Sequence, residues 1–392
     1  MKNKFQLLII ALMFLSSFVK SQSYHEILQK IEDNNIEIQA SKKHVESKAY
    51  EYRQHNLPDG PEINYGYFPN NSSVPGTKEI FEISQSVQMP CFYRNHKAFA
   101  NLLISQDEYK QLIIQQNILS EAKSLIIEYV YLMKKASITD KRLKFANDMY
   151  SAYLIRLELG DANALEVNKA RLHLMQVTKD EKQIRSEILS IREKIKSLNG
   201  GNDLDISVDD YPGENLIELD SIIFDRLSKD PELLSTKKAV EASEKQIMVT
   251  KNLQLPELSL GYGSETVAEE KFKGVLVGIS IPLWSSKRAI QKAKLESEFY
   301  NLSESSLNES KISETKIMYD QANTLKENME SYQSVLGEVN SQELLNVSLK
   351  TGEISVIDFF TEMFYYYEIY DEYLTVERDF YQSLNELYKY RL

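Results

Sequence analysis

The chain repeats itself. Ser41, Lys42, Lys43, Val45 and Glu46 meet Thr236, Lys237, Lys238, Val240 and Glu241 at a constant offset of 195 residues. The same offset carries Pro61, Glu62, Gly66 and Tyr67 onto Pro256, Glu257, Gly261 and Tyr262. At an offset of 192, Pro90, Phe92, Gly160, Leu165 and Glu166 fall on Pro282, Trp284, Gly352, Ile357 and Asp358. A repeat this long means one structural unit built twice. Whatever one half folds into, the other must fold into as well.

Proline and glycine say what that unit contains. No proline occurs between Pro90 and Pro212 or after Pro282, and between Cys91 and Asn199 the only glycine is Gly160. After Leu283 only Gly337 and Gly352 remain. Breakers this sparse imply long helices with one intended interruption each. Ile118, Ala122, Leu125, Tyr129, Leu132 and Ala136 alternate steps of four and three, as do Ala170, Leu174 and Val177, and Val356, Phe360, Met363, Tyr367, Tyr370 and Leu374. This is the 3.5-residue period of coiled-coil packing. Helices over 94–158 and 286–350 would each reach about 100 Å. Nothing that long hides in a globular core, so each seam must pack on other long helices. Gly160 and Gly352 can take positive φ and end a helix, as a hairpin of helices requires.

Shorter segments of another period lie between the helices. Phe81, Ile83, Val87 and Met89 fall on one parity against Glu82, Ser84, Ser86 and Gln88. Val275, Val277, Ile279 and Ile281 share a face opposite Gly274, Gly278 and Ser280, with Leu276 the exception. Both are strands, each preceded by a partner over 61–68 or 256–263 and joined to it by a polar loop over 69–76 or 264–271. The first unit, 22–205, therefore reads as helix, hairpin 57–90, long helix 94–158, tip turn at 160 and helix 163–198. The second, 206–392, reads as helix 216–252, hairpin 255–284, long helix 286–350, tip turn at 352 and helix 355–391.

Lys2 and Lys4 followed by an apolar run over 5–18 read as a secretory signal over 1–21, with an N-terminal anchor as the alternative. Without that segment's three lysines the net charge moves from −12 to −15. An acidic balance argues against nucleic acid or an anionic lipid surface as the main partner. Cys91 is the only cysteine, so no internal disulfide and no thiolate metal cluster can form; at a strand-to-helix junction with no base beside it, it reads as buried and inert. His25, His44, His55, His96 and His173 are scattered without the spacing of a metal pair. Gly261-Tyr262-Gly263 opens no helix and is a poor dinucleotide signal. The residues imply no cofactor, no metal site and no catalysis.

After the leader no run of 18 apolar residues occurs. A membrane crossing would fall to the strands, whose lengths suit a tilted span. Open edges do not persist in lipid, and one chain supplies only four strands, so several chains would share one barrel. Tyr65, Tyr67, Phe68, Phe92 and Trp284 collect at strand ends, as an interfacial girdle would. Two soluble hairpins capping a helical bundle is the other reading of the same pattern.

The layout, the repeat and several motifs resemble the TolC family of outer-membrane efflux proteins. The strongest matches are Pro256-Glu257-Leu258-Ser259-Leu260-Gly261, then Val277-Gly278-Ile279-Ser280-Ile281-Pro282-Leu283-Trp284, and the stretch 160–170. The resemblance covers nearly the whole mature chain. It implies a trimeric α+β membrane protein with a transmembrane β-barrel, four strands per protomer, prolonged by a long antiparallel coiled-coil α-helical barrel in the periplasm. It implies an exit duct serving an inner-membrane pump of the resistance-nodulation-division type through a periplasmic adaptor, with outer-membrane lipid around the barrel. It places Asp358 where the family carries a constriction aspartate, with Thr361 and then Glu362 where many members carry a second, and Glu166 as the first-half equivalent. The tip turns, with Gly160, Asp161, Leu165, Gly352, Glu353 and Ile357, become candidates for adaptor contact. An acidic tip points within the family to the heavy-metal cation subgroup. A non-channel coiled-coil scaffold in the periplasm or at the surface is the alternative.

Overall fold

A computed structural model describes residues 24–69, 76–267, 269–282, 286–338 and 341–392. The expected leader over 1–21, the loop over 70–75 and Trp284 lie outside the described residues. The described helices are α1 (Tyr24–Asn34), α2 (Ile36–Arg53), α3 (Pro90–Glu158), α4 (Ala164–Leu198), α5 (Leu219–Lys229), α6 (Pro231–Asn252), α7 (Ser286–Glu338), α8 (Ser341–Thr351) and α9 (Val356–Leu387). The strands are β1 (Glu62–Pro69), β2 (Thr77–Val87), β3 (Glu257–Val267) and β4 (Glu270–Ser280), forming one antiparallel sheet in the order β1-β2-β3-β4.

The repeat is visible element by element. α3 runs for 69 residues without interruption, about 100 Å long. Its expected seam is buried at Ile118, Ala122, Tyr129 and Leu132. α4 buries Ala170, Val177, Ile184, Ile191 and Ile195 toward it, which is the predicted spacing. In the half nearer the strands, α3 packs against α2 and α6, and α6 against α7, so the helices continue the order of the strands. Toward the tips α3 pairs with α4, α7 and α8 pair with α9, and α9 crosses to α3.

Two expectations are corrected. The helix expected over 216–252 is two, because Pro231 opens α6 at its first turn and the Asp230 carboxylate accepts from the Glu232 backbone N–H at 2.9 Å. The first half breaks at the equivalent place. There Asn35, 195 residues earlier, caps α2 by accepting from Ile38 N–H at 3.0 Å. A capping side chain competes with helix continuation, and a heptad count does not register it. Of the stretch 286–350, the described residues are helical on both sides of 339–340, which lie outside the described residues. The loop expected over 264–271 is far shorter, since β3 runs to Val267 and β4 starts at Glu270. Glu269 turns that corner at φ 79°, and polar residues there belong to the strands.

The core lies at mid-height. Ile27, Ile31 and Ile38 from the first short helices wedge against Ile126, Ile127 and Val130 of α3 and Ile195 of α4. Ile222 of α5 does the same against Ala322 of α7 and Leu384 and Leu387 of α9. Polar ties cross between the halves. The buried Lys123 ammonium bonds Glu214 at 2.6 Å, and the buried Asn385 amide donates to Ser120 O at 2.9 Å. Removing one partner of such a tie leaves a buried polar group unpaired. Cys91, expected to be buried, is half-buried, because it sits in the first turn of α3 beside the sheet.

Candidate channel wall and helix tips

Strand pairing sorts the sheet into two unlike faces. Partners in register share a face. One face carries the rows Val87–Leu258–Ile279, Gln85–Leu260–Val277, Ile63–Ile83–Tyr262–Val275 and Tyr65–Phe81–Ser264–Lys273, then Tyr67–Glu79–Thr266–Lys271 nearest the hairpin turns. It is an apolar band ending in aromatic rings and then in charges. The other face carries Glu62, Ser84, Asn64, Glu82, Ser86, Ser259 and Ser280, and every glycine of the four strands: Gly66, Gly261, Gly263, Gly274 and Gly278. A Cβ on Gly278 would meet Ser259 Oγ at 2.3 Å, and one on Gly261 would meet Ile83 O at 2.9 Å. At Gly278 and Gly261 this face has no room for a side chain, while at Gly274 it is open. Glycines gathered on one face let a sheet curl with that face inward. Lys78 and Glu265 pair across that inner face at 2.7 Å.

Of the expected interfacial aromatics, Tyr65 and Tyr67 stand exposed at the end of the apolar band, and Phe68 is exposed on the opposite face. Phe92 does not join them. It is 9% exposed at the start of α3, its ring 5.3 Å from Tyr93 and 5.5 Å from His96. Its place in the helix, not at the end of β2, turns it inward. His96 also meets His55, ring centroids 6.0 Å apart, a contact between distant residues that no spacing rule shows.

Both tips use the same device. At the end of α3, Gly160 takes φ +79° and Asp161 N–H returns to Arg156 O at 2.8 Å. At the end of α8, Gly352 takes φ +78° and Glu353 N–H returns to Ser348 O at 2.9 Å. The next helices open with reciprocal caps. Asn163 Oδ1 accepts from Glu166 N–H at 3.0 Å while Glu166 Oε2 accepts from Asn163 N–H at 2.9 Å. Ser355 Oγ accepts from Asp358 N–H at 3.2 Å and donates to Asp358 Oδ2 at 2.6 Å. The two candidate constriction carboxylates are therefore also the third residues of their helices' capping motifs. Asn163 and Ser355 were legible as caps in the sequence and were missed. Leu165 is exposed beside the first turn, as are Leu157 and Leu159. Gly160, Asp161, Gly352 and Glu353 are exposed as well. Ile357 lies in the first turn of α9, and its side chain is outside the described set. Glu362 shares the Asp358 side of α9 and lines a cleft of about 760 Å³ with Val335, Leu344, Tyr365 and Tyr366. Thr361 is exposed one residue before it.

A second cleft, about 670 Å³, opens between α4 and α9. Arg142 of α3 closes one side of it. Its guanidinium donates two bonds to Asp371, at 2.9 and 2.8 Å, and lies 4.2 Å from the Tyr367 ring. Burial pushes the Tyr367 hydroxyl up to about 12. His173, also in this cleft, lies against Phe360 with ring centroids 5.3 Å apart. Its pKa is lowered by burial first and by Arg142 second. Partners 229 residues apart could not be paired from the sequence.

No helix among the described residues is long and apolar enough to cross a membrane. Neither a family model nor a curated protein sequence matches the chain. Solved structures do. A structure of CusC, described through its transmembrane channel formation, superposes with a TM-score of 0.79 at 13% identity, covering 95% of this chain and 93% of that one. The MtrE outer membrane channel of Neisseria gonorrhoeae, in its open state, gives 0.77 at 13%, covering 94% and 88%. The CmeC outer membrane channel of Campylobacter jejuni gives 0.71 at 16%, covering 94% and 85%. The whole described architecture, sheet and helices together, is thus that of the TolC-type outer-membrane channels.

Proposed function

We propose that this chain is one protomer of a trimeric outer-membrane exit duct, passing substrate outward from an inner-membrane pump and a periplasmic adaptor. The observation that carries the reading is the sheet: one face apolar, one polar and glycine-rich, and neither edge paired among the described residues. An isolated sheet of this kind would leave its β1 and β4 edges open and its apolar face in water. Three copies give twelve strands, within the range of known outer-membrane barrels. The apolar band then meets lipid and the Glu and Ser face lines the lumen. Long helices in strand order continue that wall into the periplasm. At the far end, Asp358, Glu362 and Glu166 set a negative entrance that favours cations, and the exposed turns at Gly160 and Gly352 offer the adaptor its contact. The likeness extends evenly to CusC, MtrE and CmeC, so it does not single out the metal-cation subgroup.

Fractionation and planar-bilayer recording test the reading together. The protein is expected in the outer-membrane fraction as a trimer that conducts ions. Recovery as a detergent-free soluble species would overturn it.

A further inference from the structure

Near the hairpin turns the sheet's polarity inverts. The otherwise apolar face there carries Glu79, Thr266, Lys271 and Lys273, while the polar face acquires Phe68, Ile80, Val267 and Phe272. Phe68 is 54% exposed and Phe272 58% exposed. In the duct read above, both rings would stand in the watery lumen. They also sit on β1 and β4, the two strands whose outer edges have no partner among the described residues.

The register of the missing pairing can be worked out. Within one copy, the row through Phe68 ends at Glu270 of β4. Strands about 4.8 Å apart and tilted about 40° must shift by about 4–5 residues over the four strands of a copy for the barrel to close. The shift must be even, because an odd one turns every side chain to the wrong face. A shift of four in one direction pairs all of β1 within β4, from Glu62 opposite Ser280 to Pro69 opposite Lys273. The other direction leaves most of β1 beyond the end of β4.

The resulting neighbours fit on both faces. Outward, Ile63 meets Ile279, Tyr65 meets Val277 and Tyr67 meets Val275, all aromatic or branched apolar pairs of the kind that stabilise sheets. Inward, large meets small: Phe68 meets Gly274, Gly66 meets Leu276 and Asn64 meets Gly278. Gly274 has nothing within 4 Å of where a Cβ would stand, so its slot is open in the single chain. We propose that Phe68 of one copy seats over Gly274 of the next, flanked by Phe272 and Leu276, and that this contact locks each seam between copies. The proposal rests on the barrel reading and adds to it a partner surface, a register and a key residue.

Because Cys91 is the only cysteine, disulfide trapping gives a clean test. In a C91S background, F68C is combined in turn with F272C, G274C or L276C, and outer membranes are oxidised. β1 and β4 of one copy are separated by two strands, about 14 Å, beyond disulfide reach. A bond must therefore join copies and appear as covalent dimers and trimers. The expected result is strongest linkage for F68C with G274C. Preferred linkage to F272C or L276C overturns the register. Trimers that conduct but link in no pair overturn the contact while leaving the barrel standing, and absence of an outer-membrane trimer overturns the barrel itself. A second pair of variants needs no cysteine. G274L should abolish the detergent-resistant trimer by filling the slot, and F68A added to it should restore that trimer. A G274L trimer of undiminished resistance, or a loss that F68A does not relieve, counts against the seat.

Discussion

At the scale of single residues, several side chains do two things at once. The Asp358 carboxylate accepts from the capping Ser355 hydroxyl and also presents a charge at the tip. D358A removes both that bond and the charge, whereas D358N keeps a hydrogen-bond acceptor for Ser355 and removes only the charge. Both variants should lower cation preference in planar bilayers, with D358N leaving the tip's stability near wild type. Unchanged selectivity in D358N would remove the residue from the entrance. Arg142 ties α3 to α9 through Asp371 and the Tyr367 ring. Asp371 is 37% exposed, so solvent screens the pair. We expect R142A to destabilise the tips by about 1–2 kcal/mol and to speed hydrogen exchange in α9 near Tyr367, with exchange at the β-sheet unchanged. His173 gives a pH prediction. Its folded-state pKa is lowered from 6.5, so the unfolded chain binds more protons as pH falls below about 6.5. Stability contributed at neutral pH is thus lost on the acid side. Thermal unfolding should show a steeper acid loss in wild type than in H173Q, and parallel curves would exclude the residue. Asp358 was picked out by the family resemblance and its Ser355 cap was legible in the sequence; the roles of Arg142 and His173 were not. Arg142 meets Asp371, and His173 meets Phe360, only after two hairpins of helices pack side by side.

Among the elements, what the sequence showed well was what depends on local pattern. Sparse breakers revealed α3 and α4, alternating polarity revealed β2 and β4, and isolated glycines revealed both tips. What it hid depends on competition between neighbours. The layout of the repeat put one helix over 216–252, yet the Asp230 cap and Pro231 divide it. The polar residues Glu265, Glu270 and Lys271 looked like loop because a charged strand end resembles a loop in composition. The tips themselves invite a direct test. Gly160 holds φ +79° with open space around it, so G160A meets no clash and bears only the left-handed backbone penalty, about 1–2 kcal/mol. A drop of that size in tip stability, read by hydrogen exchange across 150–170, is expected. G160N should lose less, since asparagine tolerates that conformation better, and an equal loss in both would mean that backbone conformation is not the cause.

Taken whole, and on the duct reading proposed above, the molecule is a wall segment whose two sides run down β1 and α2 and down β4 and α7. Its twofold repeat means that three copies would present six nearly equivalent rods around one axis. The uninterrupted length of α3 then acts as a ruler. One rigid rod fixes both how far the entrance lies from the sheet and which way it faces. Seven residues inserted into α3, with matching insertions in α4, α7 and α9, would extend the reach by about 10 Å and turn the end by only about 20°. Four residues would add about 6 Å and turn it by about 40°. A cell envelope of altered depth could thus be matched by whole heptads, while shorter changes would reach the right distance pointing the wrong way.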